Sequence, residues 1–172
     1  SLPVDRSTPP TFTKGSTVGI FSRISDIFKS NVNDALDKAE DPEKMLKQMV
    51  LEMEESVNKA TLAVANAIAN EKSLERRITK ERSLSQDWHH KATQALQAGR
   101  EDLARQALEK KAVADKNAND LAGIYEQARS TSVKMREQLD ALKRKLEEAR
   151  ARQSTLIARS QAAKAQKQVA QS

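Results

Sequence analysis

The chain has 172 residues, of which 31% are charged and only 3% aromatic, with four glycines and four prolines. Abundant Ala, Leu, Glu, Lys, Arg and Gln with so few aromatics are typical of long helices and exclude an ordinary compact core. Cysteine is absent, which excludes disulfides and thiolate catalysis, and no apolar run approaches the roughly 20 residues of a bilayer-spanning helix. We therefore predict an elongated all-α unit whose membrane contacts are peripheral.

The positive charge is concentrated near the C-terminal end. The net charge is +6, and residues 1–133 carry 20 Lys and Arg against 20 Asp and Glu, whereas residues 134–172 carry 10 against 4. A basic segment can bind nucleic acid, anionic lipid or an acidic partner, or it can be a solvated helix end. No aromatic residue follows Tyr125, so the segment lacks the stacking platforms of single-strand binding proteins and no specific nucleic acid is expected.

The first 39 residues contain two different segments. Residues 1–17 hold three of the four prolines among Ser and Thr, which predicts a flexible extension with no assigned function. Residues 18–39 predict a short amphipathic helix, because apolar side chains occupy one half of the helical wheel. Such a face can enter a membrane interface or pack on another helix, and the residues alone leave both open. The apolar half comprises Ile20, Phe21, Ile24, Ile27, Phe28, Val32, Ala35, Leu36 and Ala39.

A long helix is predicted to begin at Pro42. Asp41 is a good N-cap, and proline suits the first helical position because its missing N–H would be unpaired there anyway. Apolar residues then recur at alternating spacings of three and four, which indicates the buried stripe, or seam, of a coiled coil. Glu71, Glu81 and Ser85 interrupt this seam, so we expect looser packing in its distal half. The seam comprises Leu46, Val50, Met53, Val57, Ala60, Val64, Ala67, Leu74, Ile78, Trp88, Ala92 and Ala95.

Gly99 marks the predicted tip of a helical hairpin. Glycine just past a helix supplies a left-handed C-cap, and the acidic pair that follows suits the first turn of a new helix. We therefore predict an antiparallel coiled-coil hairpin over residues 42–163, with its tip near residues 97–102 and fraying of residues 164–172. The competing interpretation keeps Gly99 inside one continuous helix. The returning seam comprises Leu103, Ala107, Ala114, Leu121, Ile124, Ala128, Met135, Leu139, Leu142, Leu146, Ala149 and Leu156.

The sequence offers no catalytic constellation. His89 and His90 are the only histidines, and neighbours on a helix point about 100° apart, so they cannot face one metal as an i, i+4 pair does. Carboxylates are plentiful, but solvated helices offer no apolar pocket that would shift their pKa values. We expect no enzyme activity, no metal and no cofactor.

Four motifs, in this order and at this spacing, resemble the phage shock protein A family, which includes the vesicle-inducing proteins of plastids and cyanobacteria. The resemblance extends from about residue 18 to the end of the chain. The motifs are Gly19-Ile20-Phe21-Ser22-Arg23, Ala39-Glu40-Asp41-Pro42-Glu43-Lys44, Gly99-Arg100-Glu101-Asp102-Leu103-Ala104-Arg105 and Glu148-Ala149-Arg150-Ala151-Arg152-Gln153.

The resemblance implies an ESCRT-III-like fold, in which a short N-terminal amphipathic helix inserts into membranes and a long hairpin stacks into rings, rods or spirals. It implies a peripheral protein of the cytoplasmic or thylakoid membrane that binds an anionic lipid surface and protects or remodels stressed bilayers. In some family members the hairpin inhibits an AAA+ transcription activator. A soluble regulatory hairpin that binds such a partner is therefore the alternative function.

The resemblance also assigns roles to individual residues. Membrane insertion falls to Ile20, Phe21, Ile24, Ile27 and Phe28, with Arg23 and Lys29 at the lipid headgroups. Contact between neighbouring subunits at the hairpin tip falls to Arg100, Glu101, Asp102 and Arg105.

Overall fold

The computed structural model describes residues 18–29 and 41–171, except for the side chains of Val18, Ile27, Phe28, Lys29 and Pro42. The described residues form three helices and no strand: α1 (Val18–Lys29), α2 (Pro42–Gln97) and α3 (Glu101–Gln171). The all-α prediction is confirmed. The predicted extension over residues 1–17 and the second half of the predicted amphipathic helix lie outside the described residues.

The helices are grouped into two compact units. The first unit combines α1 with the start of α2, up to Ala60, and the end of α3, from Asp140. The second unit spans Thr61–Leu139, where α2 ends and α3 begins. In both units α2 and α3 pack against each other in antiparallel fashion. In the first unit Glu43 contacts Gln161 and Glu54 contacts Arg150, and in the second Glu71 contacts Ser132 and Ser85 contacts Asp115.

The N-terminus of α2 has the predicted cap. The backbone N–H of Lys44 donates to Asp41 Oδ1 at 3.2 Å, and the N–H of Met45 donates to the Asp41 carbonyl oxygen at 3.1 Å. The carboxylate thereby satisfies a donor that the first helical turn leaves unpaired. Asp41 therefore fixes where α2 begins.

The tip is a tight turn at Gly99. Gly99 has a φ of 72°, a left-handed conformation that favours glycine. Its N–H donates to the Leu96 carbonyl oxygen at 3.1 Å, and the N–H of Arg100 donates to the Ala95 carbonyl oxygen at 2.8 Å. This hydrogen-bond pair is the Schellman motif that ends many helices. The hairpin prediction is confirmed, and the continuous-helix interpretation is wrong.

The seam of the first unit is built from large apolar side chains. Met53 of α2 and Ala149 of α3 are each 1% exposed, so both side chains are shielded from solvent. Each fully buried Val, Leu or Met contributes about 1.5–3 kcal/mol. The other buried apolar residues of α2 and α3 in this unit are Leu46, Val50, Val57, Leu146 and Leu156.

Polar contacts flank this seam on its outer side. Arg150 Nη2 donates to Glu54 Oε1 across the hairpin at 2.8 Å, and Arg150 Nη1 donates to Glu147 on its own helix. The hydrogen bonds to Glu54 and Glu147 raise the pKa of the guanidinium. Gln161 Nε2 donates to Glu43 Oε1 at 2.8 Å. These contacts set the alignment of α2 with α3 near the start of α2.

The seam of the second unit is built largely from alanine. Ala92, Ala104, Ala107, Ala114 and Ala118 are all buried, and small side chains allow close approach of two helices. The prediction was wrong at two positions, because Leu103 is 42% exposed and Ile124 is 53% exposed. The stripe on α3 passes through Ala104 and Ala118 instead. A straight helix drifts by about 20° per heptad from a strict 3.5-residue repeat. Residues placed in the seam by counting along the sequence can therefore lie outside the face that α3 buries. The remaining buried apolar residues are Val64, Leu74, Ile78 and Leu139.

Polar side chains cross this second seam at the predicted interruptions. Ser85 Oγ donates to Asp115 Oδ1, and Lys111 Nζ lies 2.8 Å from Asp115 Oδ2. On the far side of the unit, Ser132 Oγ donates to Glu71 Oε2 at 2.7 Å. The prediction that the seam is interrupted at Glu71 and Ser85 is confirmed, and each interruption has a partner on α3.

Two further carboxylates belong to this part of the seam. Tyr125 Oη donates to Glu75 Oε1 at 3.2 Å. The neighbouring Lys72 and this hydroxyl lower the pKa of the Glu75 carboxyl, whereas burial and the carboxylate raise the pKa of the phenol. Glu81 Oε2 is buried without a hydrogen-bond partner. The second unit therefore combines a thin apolar stripe with charged and hydroxyl groups.

The last turns of α3 include the tail over residues 164–172, whose predicted fraying stays a prediction. The helix continues through Gln171, and every described side chain from residue 161 onward is exposed. Ala, Lys and Gln are good helix formers, so the helix persists after the seam has ended.

Candidate functional site

The apolar face of α1 is buried in the first unit. Ile20 is 6% exposed, Phe21 7% and Ile24 6%. Residues four apart on a helix lie on one face, so these side chains form a single ridge. Three of the five residues predicted to insert into lipid therefore pack on the hairpin, which is the alternative fate that the sequence left open.

The groove under α1 has one wall from each hairpin helix. Ile20 lies beside Met45 and Met49 of α2, next to a cleft of about 450 Å³. Phe21 and Ile24 lie beside Met53, next to a smaller cleft of about 180 Å³. We call this surface the methionine groove, because it holds three of the four methionines of the chain. The two clefts are also lined by polar and charged residues, which are Arg23, Ser25 and Asp26 of α1, Gln48 and Glu52 of α2, and Lys145, Glu148 and Arg152 of α3.

The spacing of these methionines explains the groove. Met45, Met49 and Met53 follow one another at four-residue intervals, which places them along one side of α2. Met53 also belongs to the buried seam, whereas Met45 and Met49 are half-buried at its edge. Methionine is unbranched and flexible, so it can fill irregular gaps. Of these three methionines the sequence predicts a role only for Met53, as a seam residue, and it does not predict the groove.

The other face of α1 is polar and exposed. Ser22, Arg23 and Asp26 all face solvent. Arg23 is therefore available for the predicted headgroup contact while the apolar face is covered. The side chains of Ile27, Phe28 and Lys29 lie outside the described residues, so their predicted roles stay predictions.

The four tip residues predicted to contact a neighbouring subunit are all exposed. Arg100 Nε lies 3.6 Å from Asp102 Oδ1, with side chains 58% and 69% exposed. Such a solvent-exposed pair contributes little to stability. Glu101 and Asp102 occupy the first turn of α3, where unpaired N–H groups favour negative charge. The tip thus presents four charged side chains to solvent.

Trp88, the single tryptophan, has a setting that the sequence did not predict. Its ring is half-buried, with Lys91 Nζ at 4.3 Å and Lys110 Nζ at 4.6 Å from the ring centroid. A cation over an indole face is attracted by the ring quadrupole. The contact between Lys91 and Trp88 is predictable, because residues three apart on a helix are neighbours. The contact with Lys110 is not, because Lys110 lies on α3 and its position depends on how α3 is aligned with α2.

The described residues contain no group of three or more His, Asp or Glu side chains that could hold a metal ion. His90 Nε2 lies 3.5 Å from Gln94 Nε2 on the surface of α2. In the same part of the chain, none of the helices combines the length and hydropathy that crossing a bilayer requires.

Comparison with known proteins identifies relatives over most of the chain. The PspA/IM30 family matches residues 19–172. The chain is 39% identical over 158 residues to the membrane-associated protein Vipp1 of Synechocystis sp., covering 90% of this chain and 58% of that protein. It is 35% identical over 150 residues to the chloroplastic membrane-associated protein VIPP1 of Arabidopsis thaliana, covering 87% and 46%. It is 36% identical over 152 residues to a phage shock protein A homolog of Deinococcus radiodurans, covering 86% and 66%. The chain thus spans about half to two thirds of the length of these relatives.

Proposed function

Because the chain belongs to the PspA/IM30 family, we propose that it binds membranes peripherally, assembles with copies of itself and protects or remodels stressed bilayers without catalysis. Relatives named as membrane-associated proteins support the membrane role. The same resemblance suggests the cytoplasmic or thylakoid membrane as its place of action.

The observation that carries this proposal is the composition of α1. In twelve residues, α1 combines an apolar ridge that includes Phe21 with an exposed basic side chain, Arg23. Such a helix can lie in the membrane interface with its apolar face in the acyl boundary and its basic side chain near anionic headgroups. In the sequence, Ile27 and Phe28 would lengthen the ridge and Lys29 would add a second charge.

Self-assembly is supported by apolar residues on the outer surface of the hairpin. Val113 is 61% exposed and Ile124 is 53% exposed. They are eleven residues apart on α3, which is about three helical turns, so they lie on nearly the same face. A second hairpin stacked on this face would cover both. The exposed charges of Arg100, Glu101 and Asp102, with Arg105, suit contacts between neighbours at the tip.

Co-sedimentation with vesicles of phosphatidylglycerol and phosphatidylcholine tests the membrane role. We expect Phe21→Asp to reduce bound protein at least tenfold, since a carboxylate at the acyl boundary is costly. Leu62→Asp is the matched control, because Leu62 is 66% exposed on the hairpin and carries the same added charge. Equal binding of Phe21→Asp and wild type would overturn the proposed role of α1.

A further inference from the structure

We propose that the methionine groove holds α1 as a latch, so that the hairpin and the bilayer compete for the same apolar ridge and lipid binding opens the groove. This inference rests on the proposed membrane role of α1. It adds a closed state to that role, in which the membrane-binding face is covered by the protein's own hairpin.

The two positions of α1 exclude each other. Ile20, Phe21 and Ile24 are each at most 7% exposed while α1 lies in the groove. A bilayer can therefore reach this ridge only after α1 has left the hairpin. A ligand that binds only the open state shifts the population toward that state.

The contact that closes the latch is apolar. Ile20 lies beside Met45 and Met49, and Phe21 and Ile24 lie beside Met53. The acyl boundary of a bilayer offers the same kind of environment to Phe21 and the two isoleucines. Each location therefore offers apolar surroundings to the same three side chains.

The packing beside α1 is incomplete. Clefts of about 450 Å³ and 180 Å³ adjoin Ile20 and Phe21 respectively. The contact between α1 and the hairpin is therefore not completely filled.

The groove is also suited to losing its occupant. Met45 and Met49 are half-buried at its edge. Their flexible side chains can fold over part of the vacated surface, as methionine-rich surfaces of adaptable binding proteins do. A rigid groove of Val or Ile would leave a larger apolar surface in water.

Weakening the groove without changing α1 is the first test. The apparent lipid affinity equals the intrinsic affinity multiplied by the fraction of open molecules. We expect the double variant Met45→Gln and Met49→Gln to bind phosphatidylglycerol vesicles more tightly, by up to about tenfold. Glutamine is neutral and a good helix former, so neither charge nor helicity changes. Leu62→Gln, on the exposed hairpin surface, is the matched control and should bind as wild type does.

Locking the groove is the second test. The chain contains no cysteine, so a pair introduced as Ser25→Cys and Lys145→Cys, both lining the smaller cleft, can be joined by a short bismaleimide that a reductant cleaves. We expect the linked protein to lose at least about tenfold in vesicle binding and the cleaved protein to regain it. The linked and the cleaved protein carry the same substitutions, so any difference in vesicle binding comes from the link itself. Circular dichroism checks that the hairpin is intact in both forms.

The outcomes separate the latch from the proposed function. If Phe21→Asp abolishes binding while the linked protein and the methionine double variant bind like their controls, the latch is overturned and the membrane role stands. If Phe21→Asp leaves binding unchanged, the membrane role itself is overturned. Tighter binding of the groove variant together with weaker binding of the linked protein supports the latch, because the two changes act on one contact in opposite directions.

Discussion

The two units pack the same pair of helices with different side chains. The first unit has a seam of Leu, Val and Met, with the apolar ridge of α1 packed beside it. The second has mostly alanine, crossed by serine hydroxyls that bond to carboxylates. Large side chains bury more apolar area per residue, whereas small ones bring helices close but contribute less. The first unit therefore depends on side-chain volume, whereas the second depends on small side chains that let the two helices approach.

Truncation in the first unit is expected to have the largest effect. Met53→Ala removes a side chain that is 1% exposed and leaves a cavity, so we expect a loss of about 2–5 kcal/mol in the free energy of unfolding. Urea denaturation followed by circular dichroism measures it. Leu51→Ala, 52% exposed on the same helix, should stay within about 0.5 kcal/mol of wild type. Similar losses in both variants would contradict the packing described for the first unit.

A larger side chain in the seam of the second unit is expected to have the next largest effect on the free energy of unfolding. Ala114 is 2% exposed in the alanine stripe, and leucine there would force the helices apart at a cost of about 1–3 kcal/mol. The same denaturation experiment applies, with Val113→Leu on the exposed face as the control, expected within about 0.5 kcal/mol of wild type. A neutral Ala114→Leu would mean that close approach does not stabilise this unit.

Two glycines of the second unit should respond to alanine in opposite directions. Gly99→Ala is expected to cost about 1–2 kcal/mol, because an L side chain is strained at its φ of 72°. Gly123 lies inside α3 with open space where a Cβ would stand, so Gly123→Ala should stabilise by about 0.5–1 kcal/mol. Thermal unfolding of both variants checks the signs. A Gly99→Ala variant that unfolds at a higher temperature than wild type would be inconsistent with the hairpin turn at Gly99.

Acidification should weaken the second unit, and this effect is expected to be the smallest because the ion pair of Lys111 and Asp115 is partly exposed to solvent. Lys111, followed by Ser85, lowers the pKa of the Asp115 carboxyl. A depressed pKa contributes stability that is present above the unfolded value, near about 4, and lost as the pH falls through the folded value. Urea midpoints at neutral pH and below about pH 4 measure the change. Asp115→Asn should reduce the difference between the urea midpoints at the two pH values. Asp120→Asn, at an exposed position of the same helix, should leave that difference unchanged.

Much of the fold was predictable because its determinants are local. The N-cap at Asp41 and the turn at Gly99 each depend on a few consecutive residues. The spacing of apolar residues predicts most of the buried seam. It wrongly predicts that Leu103 and Ile124 of α3 are buried. Small deviations from a 3.5-residue repeat accumulate along a helix of 71 residues, so register must be read from the packed pair.

The candidate site was predictable only in part. Periodicity identified the ridge of Ile20, Phe21 and Ile24, because amphipathicity is a property of one helix. It could not distinguish a bilayer from a protein groove, since both offer an apolar environment. The methionine groove and the contact between Lys110 and Trp88 depend on residues far apart in the chain, and no local pattern reports them.

The turn at Gly99 also has a consequence for the order of folding. Ser85 and Asp115 are 30 residues apart, whereas Glu43 and Gln161 are separated by 118. Each doubling of a loop adds about 0.6 kcal/mol to the entropy cost of closing it, so contacts nearest the tip close most cheaply. We expect the hairpin to zip from Gly99 outward, with high φ-values near the tip and low ones near Met53. The alanine-rich part of the seam would then form first, and α1 would find its groove only at the end.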